Sequence, residues 1–222
     1  MHVRLIFFIT LVCALPASAA TQLVLWTFGP NSAGFTTAAT SGVNSGSAIL
    51  TLADGDLDAN GKDGTAYMDI VGTNHDPGQS AAWNDIKVQG PDAEVLIEFS
   101  TLGYKDVSVR FDYRSEGAVS FDLAYSLNNV DFTQVADNES INVNWDNDIF
   151  ETVSLDFSST SALNNQGTLY FRIDDLEEGT GNDRFAFDNF EISANPIPEP
   201  STGVLLGSAF LIALRRRRRS LA

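Results

Sequence analysis

Two packed antiparallel β-sheets are the fold that this 222-residue chain predicts, and three observations predict it. Several segments alternate apolar and polar residues with period two, the mark of a strand with one face on a core. Clusters of Gly, Asn, Asp and Ser separate them, as turns require. No amphipathic helix longer than two turns is legible. About ten strands without helices must bury their apolar faces against a second sheet.

The chain opens with Arg4, an apolar run from Leu5 to Leu15, and Pro16 before Ala17-Ser18-Ala19. Positive start, short apolar stretch and small-x-small ending make residues 1–19 a secretory signal peptide, cut after Ala19. Cleavage removes Cys13 and His2, leaving no cysteine and only His75. Disulfides, thiol nucleophiles and Cys-ligated metals are thereby excluded from the mature chain.

Residues 20–195 form the expected sandwich. Strands are predicted at 22–28, with Trp26 in the core, and at 47–52, 65–70 and 93–99. The clearest alternation follows. Val107, Val109, Phe111 and Tyr113 share one face, and Val119, Phe121, Leu123, Tyr125 and Leu127 share the next. Leu127-Asn128-Asn129-Val130 reads as a tight two-residue hairpin turn, because Asn tolerates positive φ. Further strands are expected at 131–135, 150–157, 168–174 and 184–192. In the last, the apolar positions run 185, 187, 190, 192, so the alternation slips at Asp188-Asn189 and predicts a β-bulge.

The body is strongly acidic. Between residues 20 and 197 there are 28 Asp/Glu against 7 Lys/Arg, a net of −21. Such a surface repels nucleic acid and favours cations. Residues 53–67 carry Asp56-x-Asp58-x-Asn60-Gly61, the first half of a calcium loop. The twelfth position is Tyr67 where a glutamate is required, so Asp54 in front, or Asp63 and Asp69 behind, would have to complete the oxygen set. Asp188 on the last strand is a further candidate for a structural Ca²⁺. Trp83 and Trp145, each among Asn and Asp residues, are candidate sugar platforms, since a flat apolar ring meets sugar C–H groups while nearby amides bond hydroxyls. No catalytic constellation is legible. Serine chemistry would hang on His75 alone, and Glu94 and Glu98, though on one strand face, are two carboxylates among many. The chain is read as non-catalytic.

The tail is distinct. Pro198-Glu199-Pro200 precedes twelve mostly apolar residues, Gly203 to Leu214, and then Arg215, Arg216, Arg217, Arg218 and Arg219. As a helix the apolar stretch would be about 18 Å long, against a hydrocarbon core of about 30 Å. The arginines keep their end on the cytoplasmic side. Residues 196–222 therefore resemble the PEP-CTERM sorting signal of exported bacterial proteins. That resemblance implies a short transmembrane helix, transient residence in the inner membrane, and processing near Pro198-Glu199-Pro200 by an exosortase. It also implies an extracellular or cell-surface product associated with exopolysaccharide or biofilm. The strand order of the body, with FDLAYSLNNVDFTQV and the closing LYFRIDDLEEGTGNDRFAFDNFEI, resembles concanavalin-like and carbohydrate-binding jelly rolls. The primary expectation is a non-catalytic matrix component; the alternative is a glycan-binding module, and a polysaccharide-degrading enzyme is the weaker third.

Overall fold

The computed structural model describes residues 19–28, 37–53, 62–63, 67–68, 74–75, 79–83, 94–116, 119–136, 150–178 and 184–198. Residues 1–18 of the expected signal peptide, most of the calcium-loop motif, Trp145 and everything beyond Pro198 lie outside them. Among the described residues no helix is long and apolar enough to cross a membrane.

The described residues form thirteen strands: β1 (Thr21–Trp26), β2 (Ile49–Ala53), β3 (Lys62–Asp63), β4 (Tyr67–Met68), β5 (Asn74–His75), β6 (Gln79–Trp83), β7 (Glu94–Phe99), β8 (Tyr104–Glu116), β9 (Val119–Ser126), β10 (Thr133–Ala136), β11 (Glu151–Asp156), β12 (Leu169–Glu178) and β13 (Arg184–Pro196). One sheet runs β11-β8-β13-β6-β3, with β1 also on β13; the other runs β10-β9-β12-β7-β2, and β4 pairs with β5. Among the described residues every strand pairing is antiparallel. The long strands cross repeatedly between sheets: β1, β6, β8, β11 and β13 lie in one, β2, β7, β9, β10 and β12 in the other. This is the expected all-β sandwich, with the crossings of a jelly roll.

The inner faces supply one core. Leu23, Val24, Trp26, Phe111 and Phe190 of the first sheet meet Val95, Ile97, Phe121, Leu123 and Phe171 of the second. Phe111 packs edge-on against Phe121 at 5.6 Å, joining β8 to β9 across the layers. Phe157, just past β11, meets Phe171 of β12 at 5.7 Å. Trp26 is fully buried, as expected.

The predicted bulge is present. Asp188 pairs with Asp112 and Glu191 with Arg110, so Asn189 and Phe190 together oppose Phe111 alone. Asn189 takes φ 51°, a left-handed conformation that asparagine tolerates better than most residues. The extra residue switches which parity faces inward: Phe185 and Phe187 before it, Phe190, Ile192 and Ala194 after it, all buried.

Two readings are corrected. The β9–β10 connection is longer than a two-residue primed turn, because Thr133 pairs with Tyr125 and residues 127–131 form the loop. Only Asn129 takes positive φ, and Asn128 organises the loop by accepting hydrogen bonds at Oδ1 from the Val130 and Asp131 amides, both at 2.9 Å. An Asx-centred loop competes with a primed turn because one side chain satisfies several backbone donors. The second concerns β3, β5 and β6, which were not legible as strands. They are two to five residues long, too short for alternation to show.

After β1 the chain doubles back so that Leu25 donates to Ser41 and accepts from Thr40. Gly42 sits in that return with φ 116°, and a Cβ there would collide with the Leu23 carbonyl and the Val24 Cα. Gly42→Ala is expected to cost about 2 kcal/mol or more, whereas Gly46→Ala, with open space around it, should stay within about 0.5 kcal/mol. Urea unfolding midpoints of the two variants check this.

Candidate functional site

The outer face of the five-stranded sheet follows from period two. On β12, Leu169, Phe171 and Ile173 point into the core, so Tyr170, Arg172 and Asp174 point out. The register sets their neighbours. Tyr170 lies between Ser126 of β9 and Glu98 of β7; Arg172 lies between Ala124 and Leu96; Asp174 is opposite Asp122. Gln134 of β10 is opposite Ala124, and Ile49 and Thr51 of β2 are opposite Glu98 and Leu96.

Side chains knit this grid together. Arg172 reaches across β9 and lays its guanidinium 4.1 Å from the Phe132 ring centroid. That crossing covers Ala124, which is buried despite facing outward. The same guanidinium pairs with Asp174, Nε to Oδ2 at 2.6 Å. Gln134 Nε2 donates to Asp122 Oδ2 at 2.6 Å. Held by a ring on one side and a carboxylate at its edge, Arg172 is fixed in orientation. The result is an open face with two aromatic rings, a pinned guanidinium, an amide and several carboxylates. Loop 127–131 borders its Phe132–Ser126 row and exposes Leu127 and Val130.

Two other polar sites lie on the six-stranded sheet. A groove of about 230 Å³ is lined by Ser108, Arg110, Ser154, Asp156, Glu191 and Ser193, with Ser108 and Ser193 hydroxyls 2.8 Å apart. It is smaller than the roughly 300–1,000 Å³ usual for small-molecule pockets and has no aromatic wall. The second is buried at the bulge. Asp112 accepts from Asn189 Nδ2 at 3.0 Å and from the Thr152 hydroxyl, while Asp188 Oδ1 accepts from the Asn189 amide at 2.8 Å. Arg114, also buried, lies two residues from Asp112 with its guanidinium 5.0 Å from the Phe150 ring centroid. This network stabilises the bulge, because buried carboxylates need several donors.

The sequence candidates distribute as follows. Asp188 is fully buried in the bulge network. Asp63 lies on β3, two strands away in the same sheet. Asp54, Asp56, Asp58 and Asn60 lie outside the described residues. Among the described residues no three His, Cys, Asp or Glu side chains group as a metal site. The backbone places Trp83 on β6, in the six-stranded sheet, so it does not share a sheet with Tyr170 and Phe132. Of the sorting motif only Pro198 is described, and it is exposed; Glu199, Pro200 and Arg215 to Arg219 lie outside the described residues. Tyr170, Arg172, Asp174 and Phe132 were missed as site residues. Their outward parity was legible, but their meeting across β9, β10 and β12 depends on register.

No family profile matches the chain, and no curated protein matches it. Among solved structures it is similar to a family 29 carbohydrate-binding module, with 17% identity over 79% of this chain and 90% of that one, TM-score 0.44. It is also similar to the CBM22-1 xylan-binding domain from Paenibacillus barcinonensis Xyn10C, with 12% identity over 82% and 99%, TM-score 0.43. A third is TmCBM61 in complex with β-1,4-galactotriose, with 10% identity over 67% and 89%, TM-score 0.38. At these values the likenesses transfer neither ligand nor role to this chain. Its fold is defined by its own strand pairings.

Asn189→Ala keeps the left-handed backbone and removes the bond to Asp112, so a loss of about 2–4 kcal/mol is expected. Asn189→Gly removes the bond but relieves the backbone, and should lose less. Denaturant unfolding that ranks glycine below alanine in stability would refute the strain argument.

Proposed function

We propose that this protein is an exported, non-catalytic sandwich that binds an extended polysaccharide on the outer face of its five-stranded sheet. One observation carries the reading: Arg172 stacked on Phe132 beside Tyr170, bracketed by Asp174, Asp122 and Gln134. Sugar rings present apolar C–H faces and a rim of hydroxyls. Aromatic rings serve the first and a fixed guanidinium, amide and carboxylates serve the second. With strands about 4.8 Å apart, five of them make a face roughly 20 Å wide. An open face of that width suits a polymer better than a small molecule. It is a binding surface, and Phe132→Ala or Tyr170→Ala should weaken polysaccharide retardation in affinity electrophoresis by about tenfold, near 1.4 kcal/mol. The melting temperature should change little, since both side chains lie outside the core. Wild-type mobility unchanged by neutral, cationic and anionic polysaccharides alike would overturn the reading.

Export and sorting belong to the same proposal. Strand β1 begins at Thr21, two residues after the expected cut at Ala19, and β13 ends at Pro196, two residues before Pro198. Thr21 pairs with Ala194, so both expected processing sites adjoin one end of the sandwich. Such placement leaves short extended segments outside the ladder, as proteases require. The role proposed is that of an extracellular or surface matrix component, released from the inner membrane by an exosortase. Intact mass of the protein from culture supernatant should show a start at Ala20 and loss of Arg215 to Arg219. A full-length chain as the stable end product would count against sorting.

A further inference from the structure

We infer that the polysaccharide taken by the five-stranded face carries free amino groups, as in a de-N-acetylated hexosamine polymer. This rests on the reading of that face given above and names its ligand class.

The argument is charge balance at the site. Among the described side chains, outward positions on β7, β9 and β12 hold Glu94, Glu98, Asp122 and Asp174, four half-buried carboxylates, and one cation, Arg172. Arg172 is already matched to Asp174 at 2.6 Å. Asp122 and Asp174 stand directly opposite each other on β9 and β12. Like charges in that relation destabilise a sheet. Arg172 and Gln134 offset the repulsion by binding one carboxylate each. A ligand ammonium placed between the two would offset it further. Glu98 lies beside Tyr170, so a second carboxylate adjoins the ring surface on which a sugar would stack. The order along β12 is thus aromatic, guanidinium, carboxylate: Tyr170, Arg172, Asp174. An amino sugar presents the complementary set, an apolar ring face, hydroxyls and an ammonium.

Other classes fit worse. Polyuronates and sulfated glycans meet the four carboxylates and a body of net charge −21. Neutral glycans can stack on Tyr170 and Phe132 and donate hydroxyls to the carboxylates, but bring no positive charge to balance them.

The test uses the full chain purified in mild detergent. The probes are a β-1,4-linked glucosamine polymer, its fully N-acetylated parent and a polygalacturonate of similar length, at a pH where the amines are protonated. The free-amine polymer should bind about tenfold tighter than its acetylated parent, and that advantage should shrink as salt rises past about 0.15 M. Asp122→Asn with Glu98→Gln should abolish most of the advantage, by weakening binding of the free-amine polymer more than that of the acetylated polymer. Equal affinity for the two polymers, or tighter binding of the polyuronate, overturns the ligand class and leaves polysaccharide binding standing. No binding of any polymer overturns both. An advantage that survives Phe132→Ala, Tyr170→Ala and Asp122→Asn combined belongs to the general negative charge of the body, and overturns the assignment to this face.

Discussion

The extra residue at Asp188-Asn189 in β13 is the constraint on which the architecture rests. β13 is flanked by β8 along most of its length, and on its other edge by β6 before the bulge and β1 after it. Phe187 and Phe190 both have to face inward, where their rings meet edge-on at 6.3 Å. Strict alternation forbids that for residues three apart, because a side chain changes face at every step. The bulge resolves the conflict by spending one residue in the left-handed region. Asp112, Thr152 and Asn189 then satisfy the polar groups that the kink brings into the interior. The polar network and the aromatic core are therefore two halves of one arrangement.

That arrangement leaves the two sheets with different outer surfaces. The six-stranded sheet buries Asp112, Arg114, Asp188 and Asn189 around the bulge, with a small groove lined in part by Ser108, Ser154 and Ser193 beside them. The five-stranded sheet instead displays Tyr170, Arg172 and Asp174 on its central strand. Arg172 is long enough to cross β9 because Ala124 is small, and it finds Phe132 on the far side. A larger residue at position 124 would close that path. One alanine thus permits the stacked pair that gives the face its character.

The ends of the domain follow from the same strand. Because β1 completes the ladder on the second half of β13, the first and last strands lie side by side, Thr21 against Ala194. Ile197 continues the ordered chain by donating to the Gly103 carbonyl at 2.8 Å. Lys105 and Asn195 bind the Asp106 carboxylate nearby and hold its pKa below the usual carboxylate value. Chain entry and exit are anchored at one end, while the grid of Tyr170, Arg172 and Asp174 occupies the outer face of the opposite sheet.

Much of this was legible without coordinates. Alternation in 106–114 and 117–127 is a local property of consecutive residues, so it gave the strands β8 and β9 and their inward faces. The slip from 187 to 190 announced the bulge for the same reason: parity is counted along one chain. The short strands β3 and β5 and the Asx-centred loop at Asn128 escaped, since two residues carry no period and a side-chain hydrogen bond competes with a turn type. What tertiary structure alone decided was partnership. Phe132, Ala124 and Arg172 are far apart in sequence and meet only because β10, β9 and β12 are neighbours in a particular register. Register is a long-range quantity, set by which apolar faces must share a core, and no window of sequence contains it.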